Sequence, residues 1–161
     1  MDIQSKIMAA GALASKLKAF RKAGKSVVFT NGCFDLLHVG HVRYLSAARN
    51  EGDLLVVALN SDRSIKLIKG DRRPIVKQDH RAEILASLQV VDYVTIFDES
   101  DPLKLIQLLK PTILVKGADW GPDEIIGADF VKARGGRVVR VPLVKDASSS
   151  AIIERIVKDL C

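Results

Sequence analysis

The chain has 161 residues, 48% of them hydrophobic, which suits a single domain spanning 1–161 that buries roughly 70% of the surface its unfolded form exposes. Its apolar runs, such as 54–59 and 113–115, are far too short to cross a bilayer, and the start lacks a basic-then-apolar secretory pattern, so a soluble, cytoplasmic protein with no membrane partner is expected. The net charge of +6 would suit nucleic acid, but lysine and arginine are scattered in runs no longer than two and aromatic residues make up only 5%. No nucleic-acid partner is therefore expected: the excess reads as solvated surface, with a few loop cations directed at a phosphate-rich small ligand. Cys33 and Cys161, the two cysteines, offer no framework for a secreted disulfide-rich fold and read as reduced thiols.

In chain order, residues 4 to about 22 place Ile7, Leu13, Leu17 and Phe20 at helical spacing and predict an amphipathic packing helix that stops near Gly24. Short β-rich runs follow at 26–30, 54–59, 93–97, 113–116 and 138–141. Helical stretches lie between and after them at about 39–50, 79–89, 102–109, 123–134 and 148–159. Continuous apolar strands alternating with helices predict an α/β fold: a doubly wound, five-stranded parallel sheet of Rossmann-like type. Ligands of such sheets bind beyond the carboxyl ends of the strands, so the loops after Thr30, Asn60, Phe97 and Lys116 should meet at one site.

The first loop, Asn31-Gly32-Cys33-Phe34-Asp35, leads to His38 and His41 at the start of a helix. Three residues apart, the two imidazoles share a helix face beside unpaired amides and the positive end of the helix dipole, a setting that suits a triphosphate. Gly40 between them lets a nucleotide lie against the backbone, and Gly32 permits a tight exit from the strand. Either histidine alone would read as a cap or a surface residue; the pair with both glycines reads as functional. Zinc is the rival, but no Cys, Asp or Glu spacing completes a ligand set, and helical zinc sites usually space histidines i, i+4.

The pattern Gly32-Cys33-Phe34-Asp35-Leu36-Leu37-His38-Val39-Gly40-His41 resembles the signature of the cytidylyltransferase-like nucleotidyltransferases, a branch of the superfamily that includes class I aminoacyl-tRNA synthetases. The likeness runs from about Ser26 to Ile156. Within the family it is similar to the branch that adenylylates D-glycero-β-D-manno-heptose 1-phosphate, so the resemblance implies transfer of AMP from ATP to a sugar 1-phosphate, with Mg²⁺ accompanying the ATP and a homodimer as the working form. A glycerol 3-phosphate cytidylyltransferase and a non-catalytic nucleotide-binding module are the alternatives.

The resemblance also distributes roles. Thr30, Asn31, Gly32, Cys33, Phe34 and Gly40 are assigned to the nucleotide, His38 and His41 to catalysis, and Asp35 to the acceptor phosphate or a metal. In the second loop, from Asn60 through Lys66, Lys69, Gly70, Arg72 and Arg73, Lys69 matches a lysine that swings over the triphosphate. Lys66, Arg72 and Arg73 stay open between that role and a solvated loop. Arg81 matches an arginine that supports the phosphate-facing loops and is grouped with substrate binding; His80 beside it could be only a cap.

The segment Lys116-Gly117-Ala118-Asp119-Trp120, before Gly121-Pro122, matches a loop that lines base, ribose and acceptor. There Gly117 allows close backbone approach, Asp119 accepts hydrogen bonds and Trp120 offers a ring face, unless this sole tryptophan is core. Ser148, Ser149 and Ser150 lie in register with a Ser-Thr-Thr run that binds phosphates, although Ser148 equally suits a helix cap. The glycine often found just before that run is replaced here by Asp146-Ala147.

Overall fold

The computed structural model describes residues 2–121, 123–144 and 148–160 and is built around a five-stranded, all-parallel sheet. Its strands are β1 (Val27–Gly32), β2 (Leu54–Asn60), β3 (Tyr93–Phe97), β4 (Ile113–Gly117) and β5 (Arg137–Val141), in the order β3-β2-β1-β4-β5. The helices are α1 (Ala10–Lys22), α2 (Val39–Arg49), α3 (Asp62–Lys69), α4 (Gln78–Ser87), α5 (Leu103–Leu109), α6 (Ala128–Ala133) and α7 (Ser149–Leu160).

Strand side chains alternate between two cores, as the pleat requires. Val28, Leu55, Val57, Leu59 and Val115 pack with Tyr44, Leu45 and Ala48 of α2 and with Ala82, Leu85 and Ala86 of α4. Val27, Phe29, Val56, Ala58 and Leu114 face Leu13 and Leu17 of α1, Ile106 and Leu109 of α5, and Val131 of α6. With both faces covered, the inner strands need apolar residues at every position; the edge strand β5 departs from that pattern, exposing Arg137 and Arg140. The chain runs from β1 outward to β3 and then returns to place β4 on the other side of β1. That reversal lies between the carboxyl ends of β1 and β4, where a crevice must open.

Three elements differ from the sequence expectation, the simplest being the helix expected at 123–134, which forms only over Ala128–Ala133. The helix expected from residue 4 is interrupted: a 3₁₀ turn (Gln4–Lys6) is followed by extended backbone, in which Ile7 bridges to Val94 and the Met8 amide donates to the Val94 carbonyl at 2.9 Å. Lys6 Nζ reinforces this by donating to the Val91 carbonyl at 2.7 Å. The segment thereby covers the open edge of β3.

The second loop contains α3, where the sequence pattern predicts only loop. Ser61 caps it by accepting from the Ser64 amide at 3.1 Å, and Gly70 ends it at φ 87°, a conformation that β-carbon-bearing residues rarely adopt. Lys66 and Lys69 therefore stand on the last turn of a helix, Lys69 directly before the C-cap Gly70.

Candidate active site

Between the carboxyl ends of β1 and β4 lies a cavity of about 710 Å³. The first loop leaves β1 through Phe34, whose φ of 43° provides the turn expected of Gly32. Gly32 matters instead for space: a β-carbon there would stand 2.9 Å from the Phe34 ring. The Phe34 ring in turn lies 5.1 Å from that of His41, and His38 and His41 are stacked with ring centroids 3.8 Å apart. His38 is the N-cap residue of α2 and His41 lies in its first turn, so the pair sits where that helix's free amides point.

Both imidazoles are held below their ordinary pKa. For His38 the cause is burial; for His41 burial is joined by repulsion from His38 and Lys69, only partly offset by the Leu36 carbonyl, which brings it down to about 4. At neutral pH each ring is uncharged and carries one N–H. A histidine depressed in the folded state takes up its proton more readily when unfolded, so stability falls as pH drops from about 6.5 toward about 4. Urea unfolding at pH 7 and pH 5 should show this loss, and His41→Gln should reduce it. An unchanged difference in the variant would remove His41 as its source.

Around the histidines the structure gathers Asn31, Gly32, Cys33, Phe34, Gly40, Lys69, Lys116, Gly117, Asp119, Trp120, Ser148, Ser149 and Ser150 at the cavity wall. Lys116 is nearly buried, and that burial lowers it to about 8 despite the attraction of Asp119; its Nζ lies 5.4 Å from the centre of the Trp120 ring. Trp120 itself is 43% exposed, which excludes the core reading of the only tryptophan. Burial also pushes the Cys33 thiol up, against Lys69, Arg81 and Arg73, so it faces the cavity protonated.

The serine segment combines a helix cap with a position on the cavity wall. Ser148 Oγ accepts from the Ala151 amide at 3.0 Å, a cap on α7, while Ser149 Oγ donates to the Leu36 carbonyl at 3.0 Å and ties the start of α7 to the first loop. The N-termini of α2 and α7 thus converge on one cavity. Lys145, Asp146, Ala147 and Pro122 lie outside the described residues.

Three assigned residues do not line the cavity: the contacts assigned to Thr30 and Asp35 are corrected, and Arg81 keeps its loop-supporting role but not its grouping with substrate binding. Thr30 is fully buried, its hydroxyl 2.7 Å from the Tyr44 hydroxyl, which donates on to the Val115 carbonyl. Asp35 is 4% exposed, and its carboxylate accepts from Arg73 Nε at 2.7 Å and from the Ile75 and Val76 amides at 2.8 and 2.9 Å. Burial would raise that carboxyl, but these donors outweigh it and hold it below its usual range. Asp35 is therefore an anchor for residues 73–76, not a contact for acceptor or metal.

Arg81, 1% exposed, donates to the carbonyls of Val76, Cys33 and Asn60 and pairs with Asp62 at 2.7 Å, so it joins three loops from behind instead of touching substrate. Lys66 and Arg72 are exposed away from the cavity, and Arg73 is taken by Asp35. His80 is exposed on α4, whose N-cap is Lys77.

Tyr44, Leu143, Val144 and Ala151 also line the cavity, although no local motif marks them. Tyr44 was within reach: it follows His41 by three residues and so neighbours it on the surface of α2.

Fold and site together define a doubly wound α/β protein with a cavity at its topological switch point, lined by the starts of two helices and by Lys69 and Lys116. The chain belongs to the cytidylyltransferase-like family, whose model matches residues 29–155. It is 53% identical over 156 residues to the bifunctional protein HldE of Syntrophotalea carbinolica and 52% identical over 137 residues to that of Gluconobacter oxydans. Those matches cover 97% and 85% of this chain but 32% and 29% of the relatives, so the chain spans about a third of their length.

Among solved structures, a lipopolysaccharide core biosynthesis protein from Thermoplasma volcanium is 32% identical with a TM-score of 0.62, over 77% of this chain and 100% of that one. A pantoate-β-alanine ligase from Francisella tularensis shares the fold at 17% identity and TM-score 0.59, over 95% of this chain and 79% of that one. No helix among the described residues is long and apolar enough to cross a membrane.

Proposed function

We propose that the chain is a nucleotidyltransferase that moves AMP from ATP onto D-glycero-β-D-manno-heptose 1-phosphate, releasing pyrophosphate and forming ADP-heptose for the lipopolysaccharide inner core. The observation that carries the transfer chemistry is the stacked His38–His41 pair at the start of α2, opening on a cavity that the α7 N-terminus, Lys69 and Lys116 also face. The adenylyl donor and the heptose acceptor rest on the resemblance of residues 32–41, 116–120 and 148–150. The similarity to a lipopolysaccharide core biosynthesis protein of Thermoplasma volcanium is in keeping with that acceptor.

In this reading the triphosphate lies across the two helix N-termini with its α-phosphate beside the imidazoles. An oxygen of the acceptor's phosphate monoester attacks the α-phosphorus in line; the bond from that phosphorus to the β-bridging oxygen breaks, and pyrophosphate leaves with the electron pair. The attacking oxygen is already anionic, so no general base and no covalent enzyme intermediate are required. His38 and His41 donate N–H bonds as negative charge shifts toward pyrophosphate, and Lys69 and Lys116 offset that charge.

Among the described residues no group of three or more His, Cys, Asp or Glu could cage a metal ion. The donor set fits Mg²⁺ carried in by the nucleotide, since that ion binds through phosphates, retained waters and one or two carboxylates; Asp119 is the carboxylate on the cavity wall. When bound, Mg²⁺ would neutralise charge on the phosphates. The same proposal has the chain act as a cytoplasmic homodimer.

Pyrophosphate release by the purified protein, measured across nucleoside triphosphates and phosphorylated acceptors, tests the reading. Release with ATP and the heptose phosphate is expected. Release with CTP and glycerol 3-phosphate alone would replace both substrates, and nucleotide binding without any release would leave only a binding module.

A further inference from the structure

A second cavity, of about 320 Å³, adjoins the first. Asn31, Gly32, Cys33, Lys69, Lys116 and Trp120 line both and form the partition between them. The unshared wall of the smaller chamber is made by Asn60 at the end of β2, Ser100, Asp101 and Pro102 beyond β3, and the apolar Ile68 and Ile126.

We infer that this smaller chamber holds the sugar of the acceptor, with its phosphate at the Lys69–Lys116 partition and its hydroxyls on Asn60, Ser100 and Asp101. The inference rests on the nucleotidyl-transfer reading and adds the place and the recognition chemistry of the second substrate.

The two chambers differ in their polar groups, although each has one carboxylate of its own, Asp119 in the larger and Asp101 in the smaller. The larger has both helix N-termini and the serine segment, all suited to a polyanion, and its volume suits a nucleotide. The smaller places Asn60, Ser100 and Asp101 on its unshared wall, where they would exchange hydrogen bonds with a polyol. One Asp101 oxygen already accepts from the Leu103 amide at 2.9 Å, which fixes the side chain at the start of α5.

The cations are on the partition, the one place where acceptor phosphate and α-phosphate must meet; without them, two anions brought together would repel. At the partition too, Asn31 Oδ1 is buried with no hydrogen-bond partner and is open to a donor from the ligand. Volume is consistent: the chamber is at the small end of ligand sites and would not hold a nucleoside triphosphate.

Two variants test this. Ser100→Phe fills the unshared wall, and Asp101→Asn removes its charge while keeping an oxygen for the Leu103 amide. In steady-state pyrophosphate release, each should raise KM for the sugar 1-phosphate by about tenfold and leave KM for ATP within about twofold. Calorimetric titration of the sugar 1-phosphate into protein saturated with an α,β-methylene ATP analogue reads the same chamber without turnover, and wild type should bind at least about tenfold tighter than either variant. A rise in KM for ATP alone, equal acceptor affinity in all three proteins, or no acceptor binding by wild type would overturn the assignment. Acceptor binding lost in the variants, with no turnover in any of them, would instead uphold the chamber and sink the transfer reading.

Discussion

Replacing His38 or His41 with alanine is expected to lower kcat about 10²–10³-fold, the usual cost of removing one donor aimed at developing charge. Because the rings are stacked 3.8 Å apart, each holds the other in place, and Phe34 buttresses the pair at 5.1 Å from His41. Removing one ring therefore also frees the other, and the double variant should lose less than the product of the two single effects. His41→Gln, which keeps an N–H, should recover part of the rate if donation is what matters. Single variants that fold and turn over at near wild-type rates would end the catalytic assignment.

Arg81→Leu is expected to cost about 3–5 kcal/mol of folding stability, lowering Tm by roughly 6–20 °C in a domain of this size. The guanidinium is 1% exposed and serves three carbonyls besides Asp62, so truncation strands four acceptors at once. Asp62, 33% exposed, can rehydrate, which places the loss nearer the lower figure. Asp62→Asn should accordingly cost much less, since Arg81 keeps its three carbonyl partners. Urea denaturation of the three proteins measures both differences; an Arg81→Leu loss under about 1 kcal/mol would mean that the loops are held by something else.

What the sequence made legible was local. Apolar runs at period-breaking turns disclosed all five strands, and the His38-Val39-Gly40-His41 turn disclosed the centre of the cavity, because both signals sit within a few consecutive residues. Helix α3 was missed because Asn60-Ser61-Asp62 read as turn formers, whereas Ser61 uses the same chemistry as a cap. Asp35 and Thr30 stand in or beside the signature, yet their partners, Ile75, Val76 and Tyr44, are set by tertiary contacts that no local pattern encodes. For Arg81 the loop-supporting role came with the resemblance, and the fold adds which carbonyls it serves, those of Cys33, Asn60 and Val76.

The first residues of α2 and α7 line one cavity, so an anion bound there would be shared by two separate helix ends. Each end carries about half a positive charge, and such a guest would be attracted to both. The folded population then obeys mass action in nucleotide, gaining about 2.7 kcal/mol when free ligand stands a hundredfold above its Kd. On the nucleotidyl-transfer reading, nucleotide would therefore raise the folded fraction as well as feed turnover.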